Sequence, residues 1–172
     1  MTHQSATSNR SPVAMLPLAM LKEATVEVVD LLKQAPIFSE LNQRHLKRLA
    51  QTARVRSYKP GSVIIKEGGE GFGLFIINSG KVEVVKGADG ANPSVLATLG
   101  VGDFFGETAL MERQPRNATV RALEDTECVA VWRVDFRSEV KRNPEIAVNM
   151  LSVLFRRLSD AAQPHGQATH ER

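Results

Sequence analysis

At Arg54 the apolar residues stop recurring every three or four positions and begin to alternate. The first spacing belongs to a helix with one buried stripe, the second to a strand with one buried face. From Arg54 to Trp132 the chain then divides into seven or eight short runs, spaced by about 8–12 residues. They include Val55–Tyr58, Val63–Ile65, Leu74–Ile77, Lys81–Val85, Val95–Leu99, Ala118–Ala122 and Glu127–Trp132. Turn residues separate them: Lys59-Pro60-Gly61, Glu67-Gly68-Gly69-Glu70-Gly71, Asn78-Ser79-Gly80 and the polar loop from Gly87 to Pro93. Short strands at this spacing predict an antiparallel sandwich or barrel. The glycine-rich turn at 67–71 is not a nucleoside triphosphate loop. No Gly-Lys-Ser/Thr follows it, and the next element is a strand instead of a helix.

Helical patterns flank this block. Leu21, Thr25, Val28, Val29 and Leu32 share one face of a helix expected over 21–34, which Pro36 ends. After the apolar link Ile37–Leu41, Asn42 can cap a second helix over 42–53, in which His45 reads as a structural residue, not a ligand. Beyond the strands, Asp135 can cap a short helix to Arg142, and Pro144 suits the first turn of a long helix from Glu145 to about Ala162, giving C-terminal helices over 135–162. Ile146, Met150, Val153, Leu154 and Leu158 lie along one side of the long helix, and Val148, Leu151 and Phe155 widen the stripe. That width leaves two arrangements open: all of it on the chain's own barrel, or part of it on a partner helix. Residues 1–20 and 163–172 are polar, aperiodic and expected to be disordered tails. One domain is expected over 21–162, with the barrel at 54–132.

The stretch 104–120 carries the chemistry. Gly106 lets the backbone turn, and good helix formers follow from Glu107 to Glu112. A helix starting there directs unpaired N–H groups at one spot, which favours an anion. Ten residues after Gly106 stands Arg116, whose planar fork matches two phosphate oxygens. Ionised Glu107 only accepts hydrogen bonds, so a hydroxyl or a cation is its natural partner. The set suits a ribose that carries a phosphate.

Phe105-Gly106-Glu107-Thr108-Ala109-Leu110 and Pro115-Arg116-Asn117-Ala118-Thr119 resemble, in order and spacing, the phosphate-binding cassette of the cyclic nucleotide-binding domain family. Lys59-Pro60-Gly61, Glu67-Gly68, Ser79-Gly80-Lys81-Val82 and Leu99–Asp103 extend the resemblance to about residues 31–162. It implies a mainly β fold, a jelly-roll (double-stranded β-helix) barrel with flanking helices, an inserted phosphate-binding helix and a C-terminal lid helix. It also implies that Glu107 holds the ribose 2′-hydroxyl, that Arg116 holds the cyclic phosphate, and that Gly106 and the N–H groups of Thr108 and Ala109 form the cradle. Asn117 and Ala118 follow the arginine. Asn117 offers both a donor and an acceptor and could serve either purine, so cAMP is expected on family grounds, with cGMP as the other candidate. Arg156-Arg157-Leu158 is similar to a triplet of the catabolite activator branch and implies that Arg157 pairs with Glu107. That branch places hydroxyl residues where this chain has Ala161 and Ala162. In the family the long helix caps the base and often forms a dimer interface.

The expected function is a stand-alone cyclic nucleotide sensor that acts on a protein effector in trans, with a homodimer through the C-terminal helix as one arrangement. Alternatives are a relative of DNA-binding regulators without the helix-turn-helix half, only about ten polar residues following the long helix, or a barrel that has lost its ligand. Net charge is +3, from 22 basic and 19 acidic residues, too mild and too interspersed to argue for direct DNA binding. No window approaches a membrane span, no leader pattern opens the chain, and a cytoplasmic location is the default. The one cysteine, Cys128, sits in an apolar run as a small hydrophobe. His3, His45, His165 and His170 all fall outside the strands, so neither a metal-dependent barrel enzyme nor a resident metal or cofactor is expected.

Overall fold

The computed structural model describes residues 27–39, 41–111 and 114–162, with the backbone alone at 111, 157 and 160–162. Among the described residues, eight strands form two four-stranded antiparallel sheets. They are β1 (Arg54–Tyr58), β2 (Val63–Ile65), β3 (Gly73–Ser79), β4 (Val82–Lys86), β5 (Ser94–Leu99), β6 (Phe104–Phe105), β7 (Thr119–Ala122) and β8 (Thr126–Trp132). One sheet runs β1-β8-β3-β6, the other β2-β7-β4-β5. The chain crosses between sheets at almost every turn, so sequence neighbours are seldom sheet neighbours, and the product is the expected jelly-roll barrel. β6, too short to show a period, is the strand that sequence patterning passes over.

The helices are α1 (27–34), α2 (Gln43–Thr52), α3 (Thr108–Met111), α4 (Arg133–Arg142) and α5 (Glu145–Ala162), with a 3₁₀ turn at Pro36–Phe38. Asn42 caps α2 as expected, its side chain accepting the His45 N–H at 3.1 Å. α4 starts two residues before Asp135. Trp132 occupies its cap position without a side-chain hydrogen bond, and Asp135 stands in the first turn instead. There the helix dipole still favours a carboxylate. The called segments 1–20, 21–26 and 163–172 lie outside the described residues.

Two apolar cores follow from the strand period. On β3 and β8, Leu74, Ile76, Val129 and Val131 face outward onto α1, α2, α4 and the start of α5, joining Leu32, Phe38, Leu49, Phe136 and Ile146. The alternate residues Ile77 and Cys128 face the barrel interior with Ile65, Val82, Phe105 and Val120. Both faces of β3 and β8 are thus largely buried, while the edge strand β1 is mostly exposed, which is why β8 reads as a nearly continuous apolar run. Inside the barrel, burial first and then the charge of Glu127 push the Cys128 thiol up to about 12. It is the inert small hydrophobe that its sequence context suggested.

A polar latch closes the helical layer. Glu139 on α4 is buried, and its carboxylate accepts from Arg48 Nε at 2.9 Å and Arg142 Nη1 at 2.8 Å and lies 2.9 Å from His45 Nδ1. Burial alone would raise its pKa, but the hydrogen bonds from Arg48, His45 and Arg142 outweigh it and hold the carboxyl at about 2. His45 is therefore part of the join between α2 and α4.

Candidate functional site

β6 aims the site. Phe105 pairs with Phe75 of β3, and the two rings stack with centroids 5.4 Å apart. Gly106 follows with φ +81°, a conformation that side-chain-bearing residues rarely adopt, and the chain turns there into α3. A Cβ at this position would stand 2.6 Å from Arg116 Nη1. Glu107 is half-buried at the turn. The Ala109 N–H donates to the Gly106 carbonyl at 3.3 Å and the Leu110 N–H to that of Glu107 at 2.9 Å. Ala109 and Leu110 are buried and anchor the short helix.

Arg116 is only 7% exposed. Its guanidinium donates to the Gly106 carbonyl through Nη1 and to the Gly73 carbonyl through Nη2, both at 2.8 Å. Five donors are available on that fork, so N–H groups remain for a ligand. The backbone is fixed as well. The Arg116 N–H donates to Gly69 O at 2.9 Å, and the Gly68 N–H to Arg116 O at 2.8 Å. Burial is the main influence drawing the Arg116 pKa down, the carboxylate of Glu107 pushes it up, and Arg133 draws it down again. A guanidinium stays charged throughout the useful pH range, so the site holds a desolvated cation, and an anion beside it relieves that cost.

The cleft in front of this arginine has a volume of about 260 Å³. Gly106, Glu107, Thr108, Arg116, Asn117 and Ala118 line it. Ile65, Val84, Leu96, Leu99, Phe105 and Val120 supply an apolar wall. The lining thus offers a cation and a carboxylate together with a greasy surface for a flat ring. Six of the eight residues singled out from the sequence meet here. Ala109 lies behind the lining, and its N–H is turned to a protein carbonyl. Arg157 stands on α5, and its side chain, like those of Ala161 and Ala162, lies outside the described residues.

Sequence reasoning passed over the parts that support this site. Gly71 is bare because a Cβ there would collide with that of Ala109 and come within 3.1 Å of Arg116 Nε. Arg133, at the start of α4, donates from Nη1 to the carbonyls of Gly71 at 3.2 Å and Ala109 at 3.5 Å. Thr119 is buried and accepts the Glu67 N–H at 3.1 Å. Lys86 donates to the Asn117 carbonyl at 2.6 Å from 31 positions away. No local pattern announces contacts at such separations, although the run of glycines at 68, 69 and 71 signals a close approach of some kind. Among the described residues, no group of three or more His, Cys, Asp or Glu side chains is arranged to hold a metal, and no helix is long and apolar enough to cross a membrane.

Comparison with known proteins gives matches that centre on the same region. Residues 55–143 match the family described as the cyclic nucleotide-binding domain. The cyclic AMP receptor protein of Thermus thermophilus is 34% identical over 130 residues, covering 76% of this chain and 60% of the relative. The regulatory subunit of the cAMP-dependent protein kinase of Schizosaccharomyces pombe is 39% identical over 93 residues, 54% of this chain and 22% of that protein. The crystal structure of the Thermus thermophilus catabolite activator protein superposes with a TM-score of 0.66 at 34% identity, covering 73% of this chain and 59% of that one. The chain therefore spans 60% or less of the length of these relatives.

Proposed function

The chain belongs to the cyclic nucleotide-binding domain family, and on that premise we propose that it is a regulatory module whose ligand is a purine cyclic nucleotide, cAMP in the first place. One observation carries the reading: the buried guanidinium of Arg116 and the carboxylate of Glu107 line the same cleft as a set of apolar side chains. The cyclic phosphate takes the spare N–H groups of Arg116 and the backbone at Gly106–Thr108. The ribose 2′-hydroxyl donates to Glu107. The base lies against the apolar wall near Leu96, with Asn117 at the rim. The names of the Thermus and yeast relatives support cAMP.

Binding acts on α5. Val148, Leu151, Phe155 and Leu158 are each more than half exposed on one face of that helix, a surface suited to pass the event to a protein partner. A ligand shifts the helix only by the difference in its affinity for the two states.

Calorimetric titration with cAMP and cGMP tests this. Binding at micromolar Kd or tighter is expected, about −8 kcal/mol or better, and Arg116→Ala should weaken it by at least about tenfold, as loss of charged hydrogen bonds does. Preference between the two nucleotides reads the contribution of Asn117. Absence of binding to either would overturn the proposal.

A further inference from the structure

Glu67 and Lys86 lie outside the cleft lining, yet both hold the segment that carries Arg116. Lys86, the last residue of β4, bridges two groups through Nζ: the Glu67 carboxylate at 2.6 Å and the Asn117 carbonyl at 2.6 Å. The other oxygen of Glu67 accepts the Gly87 N–H at 2.7 Å. The backbone of the same glutamate donates to buried Thr119 at 3.1 Å. One residue further on, the Gly68 N–H meets the Arg116 carbonyl. Three chain segments that are remote in sequence, the loop after β2, the end of β4 and residues 116–119, are thus joined by one ammonium and one carboxylate. The hydrogen bond from Lys86, followed by that from Gly87, holds the Glu67 carboxyl below its ordinary value.

We infer that Glu67 and Lys86 are positioning residues for ligand binding: they fix the backbone at 116–117, and through it the direction of the Arg116 fork and the Asn117 side chain. The inference rests on the cyclic nucleotide reading of the cleft. Its contacts are distinct from those of the Arg116 guanidinium, which is tied to Gly106 and Gly73. The strap is a side-chain hold on this segment that adds to the backbone bonds of Arg116 with Gly68 and Gly69. The Lys86 side chain is about half exposed, so its loss loosens the site without opening the core.

The test combines affinity with backbone exchange in the full chain. Lys86→Met should weaken cAMP binding about threefold to tenfold, mainly through faster dissociation. Lys86→Arg, which keeps a cation able to reach both oxygens, should recover it to within about twofold. Glu67→Gln combined with Lys86→Met should cost little more than either alone, because the two act as one unit. The thermal midpoint should stay near that of the parent, whereas in the ligand-free protein the Gly87 and Glu67 amides should exchange faster in Lys86→Met. Unchanged affinity and unchanged exchange in that variant would overturn the strap and leave the function of the cleft intact. If the parent chain binds no cyclic nucleotide, the reading of the cleft falls, a positioning role for ligand falls with it, and the exchange data then report only a structural tie.

Discussion

An alanine at Gly71 would press its Cβ into that of Ala109, which is buried and has no flexible side chain to move aside. Gly71→Ala should therefore cost about 1–3 kcal/mol in unfolding free energy, as overpacking does, and weaken ligand binding by displacing Arg116. Gly106→Ala combines a positive φ with a Cβ 2.6 Å from Arg116 Nη1, and a loss of about 1–3 kcal/mol is expected there from backbone strain. Gly100→Ala is the matched control. A Cβ at that position meets nothing within 4 Å, and its φ is ordinary, so a neutral or slightly stabilising change is expected, of at most about 1 kcal/mol. Denaturant melts of the three variants check these values, and equal losses at all three would refute the packing account.

α4 is the element that ties the ligand side to the outer helices. Its first residue, Arg133, donates to carbonyls behind the cassette, and Glu139, two turns later, gathers Arg48 and His45 from α2 and Arg142 from its own last turn. Glu139 is the clearest source of pH dependence. Its carboxyl falls from an ordinary 4.5 to about 2 on folding. A depressed carboxyl contributes stability that is fully present above the unfolded value and is lost as pH falls from about 4.5 towards 2. The amount is about 3 kcal/mol. Glu139→Gln should destabilise the protein at pH 7 and flatten its stability between pH 5 and pH 2. Urea melts across that range measure both, and a variant whose acid profile matches the parent's would show that other carboxylates govern acid unfolding.

At the scale of the whole molecule, α5 divides its apolar residues between two destinations. Ile146 and Met150 are buried in the helical core, with Val153 and Leu154 partly covered, while Val148, Leu151, Phe155 and Leu158 face away. The broad stripe seen in the sequence is therefore split between a face packed on the helical core and a face left exposed among the described residues. Concentration-dependent dimerisation, weakened by Phe155→Asp in sedimentation experiments, is the expected outcome if a second copy covers the outer face; a monomer at every concentration would exclude a second copy as its cover. The shift to period two at Arg54 and the turn residues between strands determined a β barrel with helices at its ends, because burial of one strand face and the φ demands of turns are local. Gly106, Glu107 and Arg116 were legible for the same reason: a turn, a helix start and an arginine lie within one short stretch. The pairing of β1 with β8, the double burial of β3 and β8, the latch at Glu139 and the strap from Lys86 to Asn117 were decided only by the tertiary structure. Each joins residues tens of positions apart, and strand order, not residue type, chooses the partner that an exposed or half-buried charge finally meets.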